Sequence, residues 1–390
     1  MKTEDPAARL GAAYEVLARA YRNRHERALQ WKEQGGRVLA CLGSDVPEEL
    51  VLAAGYLPVR VCGEPGQATP LADRYLELAF EPTARSKFNR LLDGTYAYAD
   101  GLVISNSTDV LVRLYFYLRE LHRVEPEIEL PPFYFLDLLF MPSMISSEYN
   151  LGTLRSFQRI LEEWSGQEIT PDQLQEAIRL CNENRALLRQ LAELRRGTAP
   201  RVTGVEALTI IGASLLMPKE EHNRLLCEIL DKARRLPPLE GVRLFVTGSV
   251  HEQTDFYELI EACGGIVVGE DHDWGNRHFH TDVATDVEPL AAIRDRYHLR
   301  LASPNKHLVS HRVRALLDQV QECGAEGVVF FMRTYDEAST WDYPEQHQIL
   351  ESLGIPSKLF VRQPYTLANR RQLMEDITEL VAQVRAGRRE

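Results

Sequence analysis

With 390 residues the chain is long enough for two or three domains, and its 44% apolar and 26% charged residues are those of an ordinary folded protein with sizeable cores. A net charge of −12 excludes a general affinity for nucleic acid or for an anionic membrane surface. No apolar run approaches the ~20 residues of a membrane span, and Met1 to Pro6 carry no signal-peptide pattern, so a cytoplasmic protein is expected.

Residues 7–34 read as one helix, with Leu10, Ala13, Val16, Leu17, Ala20 and Tyr21 recurring at three and four and Gly35-Gly36 ending it. A strand over 37–41 follows. Asp45 then stands where an N-cap belongs, with Pro47, Glu48 and Glu49 in a first helical turn that suits them. Gly55 closes that helix and 57–61 is a second strand, a β-α-β unit whose short crossover makes the pair parallel. Helical spacing covers 72–80 and 86–92, and 100–104 is the third strand. This strand runs through Ser105, Asn106, Ser107, Thr108 and Asp109 into apolar residues at helical spacing. Such a turn lies at the carboxyl edge of an α/β sheet, where these folds bind ligands, although Ser107, Thr108 or Asp109 capping the helix is the plainer reading. Pro126, Pro131 and Pro132 mark a connection, and 133–140 reads as a fourth strand.

Between 151 and 235 the pattern is almost wholly helical, with Thr170, Pro171 and Gln173 giving N-cap, N1 and N3 signals. The run 236–241, with Pro237, Pro238 and Gly241, is the best linker in the chain. A second α/β unit follows, with strands at 242–249, 264–271, 327–331 and 358–361 and helices at 255–263, 343–353 and 373–384. The organisation expected is an N-terminal helix (1–34), a first α/β lobe (35–150), a helical segment (151–235) and a second α/β lobe (236–390).

Polar clusters at strand ends are the candidate chemistry. Ser44 is the catalytic candidate, able to donate to a bound acyl group, with helix capping as its plainer alternative. In the second lobe Ser249, Arg277 and His278 are candidates for holding a substrate, the last two through phosphate or CoA contacts. His272, Asp273, His278 and His280 offer nitrogen and oxygen donors that Zn, Mn or Fe(II) accept. Without His-Glu-x-x-His or comparable spacing, no metal is assigned to them. Dinucleotide, Walker A and nucleophile-elbow patterns are all lacking. Cys41, Cys62, Cys181, Cys227, Cys263 and Cys323 include no Cys-x-x-Cys pair and read as reduced thiols, though distant cysteines can meet in space.

Several of these stretches together resemble one family. Ser44-Asp45-Val46-Pro47-Glu48-Glu49-Leu50, continuing through Ala53-Ala54-Gly55-Tyr56-Leu57-Pro58-Val59-Arg60, is similar to a signature of the 2-hydroxyacyl-CoA dehydratase and benzoyl-CoA reductase subunits, the D-component type of 2-hydroxyglutaryl-CoA dehydratase. Gly248-Ser249, Gly269-Glu270-Asp271, Gly275-Asn276-Arg277, Gly327-Val328-Val329 and Gly354-Ile355-Pro356 match in order, so the likeness spans about 35 to 385. It implies two flavodoxin- or Rossmann-like parallel-sheet lobes with a helical insert between them, paired with a related subunit. It also implies a [4Fe-4S] cluster on three cysteines that passes one electron to a CoA thioester, supplied by an ATP-dependent activator.

The cluster positions depart from that pattern. They fall on Thr108, on Tyr335 and loosely on 82–86, where no cysteine stands, and a further cysteine turn common in the family reads His272-Asp273-Trp274-Gly275. Thiolates are the ligands that suit iron–sulfur clusters, so the expectation is a chain whose own cysteines bind none. Two readings follow. In one, the chain is a component of an acyl-CoA dehydratase or reductase complex, with the [4Fe-4S] cluster in a homologous partner subunit. In the other, the fold is reused as an independent enzyme or binding protein for an anionic small molecule, with a metal at 271–282.

Overall fold

The computed structural model describes residues 6–304 and 306–387; the first residues of the expected N-terminal helix and the last three of the second lobe lie outside them. Two four-stranded sheets, both wholly parallel, organise the chain. The first contains β1 (Arg37–Leu42), β2 (Tyr56–Arg60), β3 (Gly101–Ser105) and β4 (Phe133–Leu136), in the order β2-β1-β3-β4. The second contains β5 (Val242–Gly248), β6 (Gly265–Asp271), β7 (Gly327–Arg333) and β8 (Ser357–Gln363), in the order β6-β5-β7-β8. The two orders are the same, and both are those of a doubly wound flavodoxin-like sheet. The central strands β3 and β7 are buried throughout, because helices cover both faces of a parallel sheet.

Four helices, Met144–Ser165, Pro171–Glu193, Gly204–Ala213 and Lys219–Ala233, form the insert between the lobes. A single buried cluster joins Tyr14 and Leu17 near the N-terminus, Leu57 of β2, Ile210 and Leu226 of the insert, and Val246 and Phe331 of the second sheet. Ion pairs add to this join. Glu48 meets Lys219 Nζ at 3.1 Å, and buried Glu49 accepts from Arg185 Nη1 at 2.7 Å. The two glutamates expected to serve the helix dipole thus tie the first lobe to the insert, and their neighbouring cations hold both carboxyls below the usual range despite burial.

Several elements differ from the sequence reading. The single helix expected over 7–34 is three, Pro6–Leu10, Ala12–Arg22 and Glu26–Glu33, broken first at Gly11 with φ 89°. Only a short 3-10 turn, Ala72–Arg74, stands in 72–80, whereas the next helix starts earlier, at Pro82, because Glu81 caps it through Thr83 N and Ala84 N. Likewise the helical segment expected from 151 begins at Met144 behind Ser143, a serine cap. Asp45 caps nothing. The helix Glu48–Ala53 opens after Pro47 with no side-chain cap, and Asp45 turns inward to two cations. By contrast, the Thr170–Gln173 capping box and the Gly55 terminus are present.

Candidate functional site

In a doubly wound sheet, ligands bind where neighbouring connections leave in opposite directions. That point lies between β1 and β3 in the first lobe and between β5 and β7 in the second. Gly43, Ser44, Ser107 and Thr108 extend from the first pair; Gly248, Ser249, Tyr335 and Asp336 extend from the second. All eight line one cleft of about 600 Å³ between the lobes. Each lobe makes its turn with a glycine at positive φ, Gly43 at 107° and Gly248 at 113°. A Cβ on Gly43 would collide with the Ser105 and Ser107 hydroxyls, and one on Gly248 with the Phe331 carbonyl. Close approach of backbone to its neighbour is what only glycine allows here.

On the first wall, Ser44 Oγ donates to Asp45 Oδ1 at 3.1 Å and accepts from Arg300 Nη2 at 3.1 Å. Its proton therefore points to Asp45, not into the cleft. Asp45 Oδ1 lies 2.6 Å from Arg300, and Oδ2 is paired with Lys306. Burial opposes ionisation of Asp45, but the two cations outweigh it and hold the carboxyl far below the usual range. Ser105 and Ser107 share a 3.0 Å hydroxyl bond and accept from the backbone of Asp45 and Ser44. Thr108 accepts from Leu111 N at 3.3 Å and caps the helix Asp109–Val124, which settles which residue of the turn is the cap.

The second wall is built around Ser249. Its hydroxyl donates to Asp336 Oδ2 at 2.5 Å and accepts from Arg333 N at 2.9 Å, so it holds Asp336 rather than standing free for a substrate. Arg333 turns its guanidinium away to the Pro364 and Tyr365 carbonyls, both at 3.2 Å. Burial pushes the Asp336 carboxyl up to about 6 and the Glu81 carboxylate adds to this, while Ser249 and, least, Arg333 lower it. Tyr335, next to it, is 46% exposed and has φ 66°, a left-handed conformation unusual for a bulky residue.

The 271–282 run divides. Arg277 reaches the cleft but is engaged by Asp271 at 2.6 Å and Asp273 at 3.2 Å. His272 is buried beneath, with Tyr257 OH at 3.0 Å from Nε2 and Nδ1 accepting from Trp274 N, and burial lowers it to about 4. His278 lines a smaller pocket that shares Ser44, Arg60, Asp273, Arg277 and Arg300 with the cleft, and His280 is exposed. Among the described residues no three His, Cys, Asp or Glu side chains gather to hold a metal ion. Arg60, Arg296, Arg300 and Lys306 are site residues that the sequence reading missed. Arg60 closes the first motif run of the family likeness, but 296–306 carries no motif at all.

Thr108, Tyr335 and, from 82–86, Thr83 and Ala84 all line this one cleft, so the three positions where cluster ligands would be looked for do converge. The donors there do not suit a cluster: the Thr108 oxygen is used as a helix cap, and no cysteine is among the described residues lining the cleft. Cys41, Cys62, Cys181 and Cys323 are buried elsewhere, Cys227 is exposed and Cys263 is half-buried.

Two matching parallel-sheet lobes whose ligand-binding edges face each other define a two-lobed α/β cleft protein. More particularly, the chain belongs to the 2-hydroxyglutaryl-CoA dehydratase D-component family, whose sequence model matches residues 43–362. It is 24% identical over 334 residues to the (R)-phenyllactyl-CoA dehydratase beta subunit of Clostridium sporogenes, covering 84% of this chain and 87% of that one. The beta subunit of (R)-2-hydroxyglutaryl-CoA dehydratase from Acidaminococcus fermentans is also 24% identical, with 84% and 87% covered. A benzoyl-CoA reductase subunit of Thauera aromatica is 26% identical over 88% of this chain and 89% of its own.

Proposed function

We propose that the chain is a subunit of a 2-hydroxyacyl-CoA dehydratase or benzoyl-CoA reductase-type complex, that its cleft receives a CoA thioester, and that the [4Fe-4S] cluster is carried by a homologous partner. The observation that carries this reading is the convergence of Thr83, Ala84, Thr108 and Tyr335 on one cleft without a thiol among them. Threonine and tyrosine oxygens are poor ligands for a cluster that thiolates hold. The relatives named above are all subunits of enzymes named for CoA thioesters, and the cleft is large enough for a ligand of ordinary small-molecule size.

A partner is supported by apolar side chains left in water around the mouth. Trp341 on the cleft wall is 76% exposed, and Leu78 beside the wall residue Ala79 is 92% exposed. Large apolar groups exposed at the edge of a cleft are a feature of surfaces that another protein covers. Within such a complex this chain's residues bind and orient the thioester and keep water from it; electron delivery by an ATP-dependent activator would pass through the partner. The test is co-production with a cysteine-complete homologous subunit, followed by size-exclusion chromatography and acyl-CoA turnover. A stable complex that loses turnover without this chain is expected. Separate elution, and equal turnover by the other subunit alone, would overturn the proposal.

A further inference from the structure

Between Asp137 and Glu148, the run Leu-Leu-Phe-Met-Pro-Ser-Met-Ile-Ser-Ser carries no charged side chain, in a chain that is 26% charged. It leads from the carboxyl end of β4 into the helix Met144–Ser165. Leu138 turns inward, but Met141, Met144 and Ile145 are 62%, 83% and 82% exposed. Tyr149, one helical turn after Ile145, is exposed as well. Single apolar side chains in water are common, whereas several within nine residues mark a surface that something covers.

Polar groups hold this surface in place. Buried Asn150 clamps the link at Leu139, accepting from its N–H and donating to its carbonyl, both at 2.7 Å. Ser143 accepts from Ser146 N and fixes the helical turn that bears Met144 and Ile145. Tyr149 OH donates to Asp137 Oδ2 at 3.1 Å. His298 Nε2 donates to the Met141 carbonyl at 2.8 Å, which brings exposed Leu299 alongside. The apolar groups are thus presented already ordered, and a protein covering them loses little further conformational freedom.

The patch adjoins the cleft. Lys306 Nζ lies 5.2 Å from the centre of the Phe140 ring, and Arg300, Ser303 and Pro304 of the same segment line the cleft. Methionine is enriched in protein interfaces, where its flexible thioether fits varied shapes. A second copy of this chain is a poor occupant. It would bring another net charge of −12 to a patch flanked by Asp137 and Glu148 and holding no cation of its own. A different subunit need not carry that charge.

We propose that Met141, Met144, Ile145 and Tyr149 form the docking surface for the cluster-bearing homologous subunit, which seats an apolar face on the first lobe beside the cleft. This rests on the reading above that such a partner exists, and adds where it sits.

The test mixes the full chain with a cysteine-complete subunit of the same family, without oxygen. Association is measured by analytical ultracentrifugation, and amide hydrogen exchange is followed over 138–149 of the wild type. The complex should slow exchange there, and Met144→Glu combined with Ile145→Glu should weaken association at least about tenfold. Leu353→Glu is the control. Leu353 is also exposed, but it precedes β8 and so lies at the sheet edge opposite the cleft, and its change should leave association unaltered. A complex with unchanged exchange over 138–149, which the double variant forms equally well, overturns the docking surface and leaves the subunit reading intact. Self-association that the double variant abolishes, without binding of the other subunit, gives the patch to a second copy and overturns the proposed occupant. No association of either kind overturns the surface and the subunit reading together.

Discussion

Asp336 shows how one residue's surroundings decide its chemistry. Two nearby acids have cations, Asp45 with Arg300 and Lys306 and Asp273 with Arg277, whereas Asp336 has the Ser249 hydroxyl and an arginine turned away. Its folded value, raised from 3.8 to about 6, has a definite consequence for stability. Between those values the native state binds more protons than the unfolded chain, so this group's contribution falls as pH rises through that window. Asp336→Asn should therefore unfold at higher urea than the wild type at pH 8, by on the order of 1–3 kcal/mol. The gap should close as pH falls from about 6 to 4, within the shift given. A gap that persists unchanged at pH 4 would place its origin elsewhere. None of this was legible in the sequence. Ser249 and Asp336 are 87 positions apart and meet only because β5 and β7 are neighbours.

At the level of elements, legibility followed the strength of the local signal. The eight strands were readable because parallel strands buried on both faces appear as short apolar runs closed by glycine or polar turns. The capping box at Thr170 and the glycine terminus at Gly55 are local chemistry and stand as read. Asp45 misled because an acid before Pro-Glu-Glu looks like a cap, and its real partners, Arg300 and Lys306, lie more than 250 residues away. The helices Pro289–His298 and Val309–Cys323, which bring Arg296 to the pocket and stand on either side of Arg300 and Lys306, went unread: the first is capped by Glu288 rather than serine or threonine, and the second has no side-chain cap. The glycine turns are the most exacting local feature. Gly248→Ala places a Cβ against the Phe331 carbonyl at φ 113° and should cost about 1–3 kcal/mol in urea unfolding. An alanine variant as stable as the wild type would show that the turn relaxes freely.

On the scale of the whole molecule, two copies of one strand order face each other, held by an insert whose buried cluster runs through both lobes. The repetition was visible in the sequence, and so was the family likeness, which the match over residues 43–362 bears out. Convergence of the three cysteine-free positions on a single cleft was not visible, because 82–86, Thr108 and Tyr335 sit on separate strand connections. This convergence bears most directly on the central claim, that the chain itself holds no iron–sulfur cluster. The decisive measurement is iron and acid-labile sulfide in the chain purified without oxygen, first alone and then with its partner subunit. Neither is expected on the chain alone, and both are expected in the complex. Stoichiometric iron and sulfide on the isolated chain would contradict the claim and require ligands other than cleft thiolates.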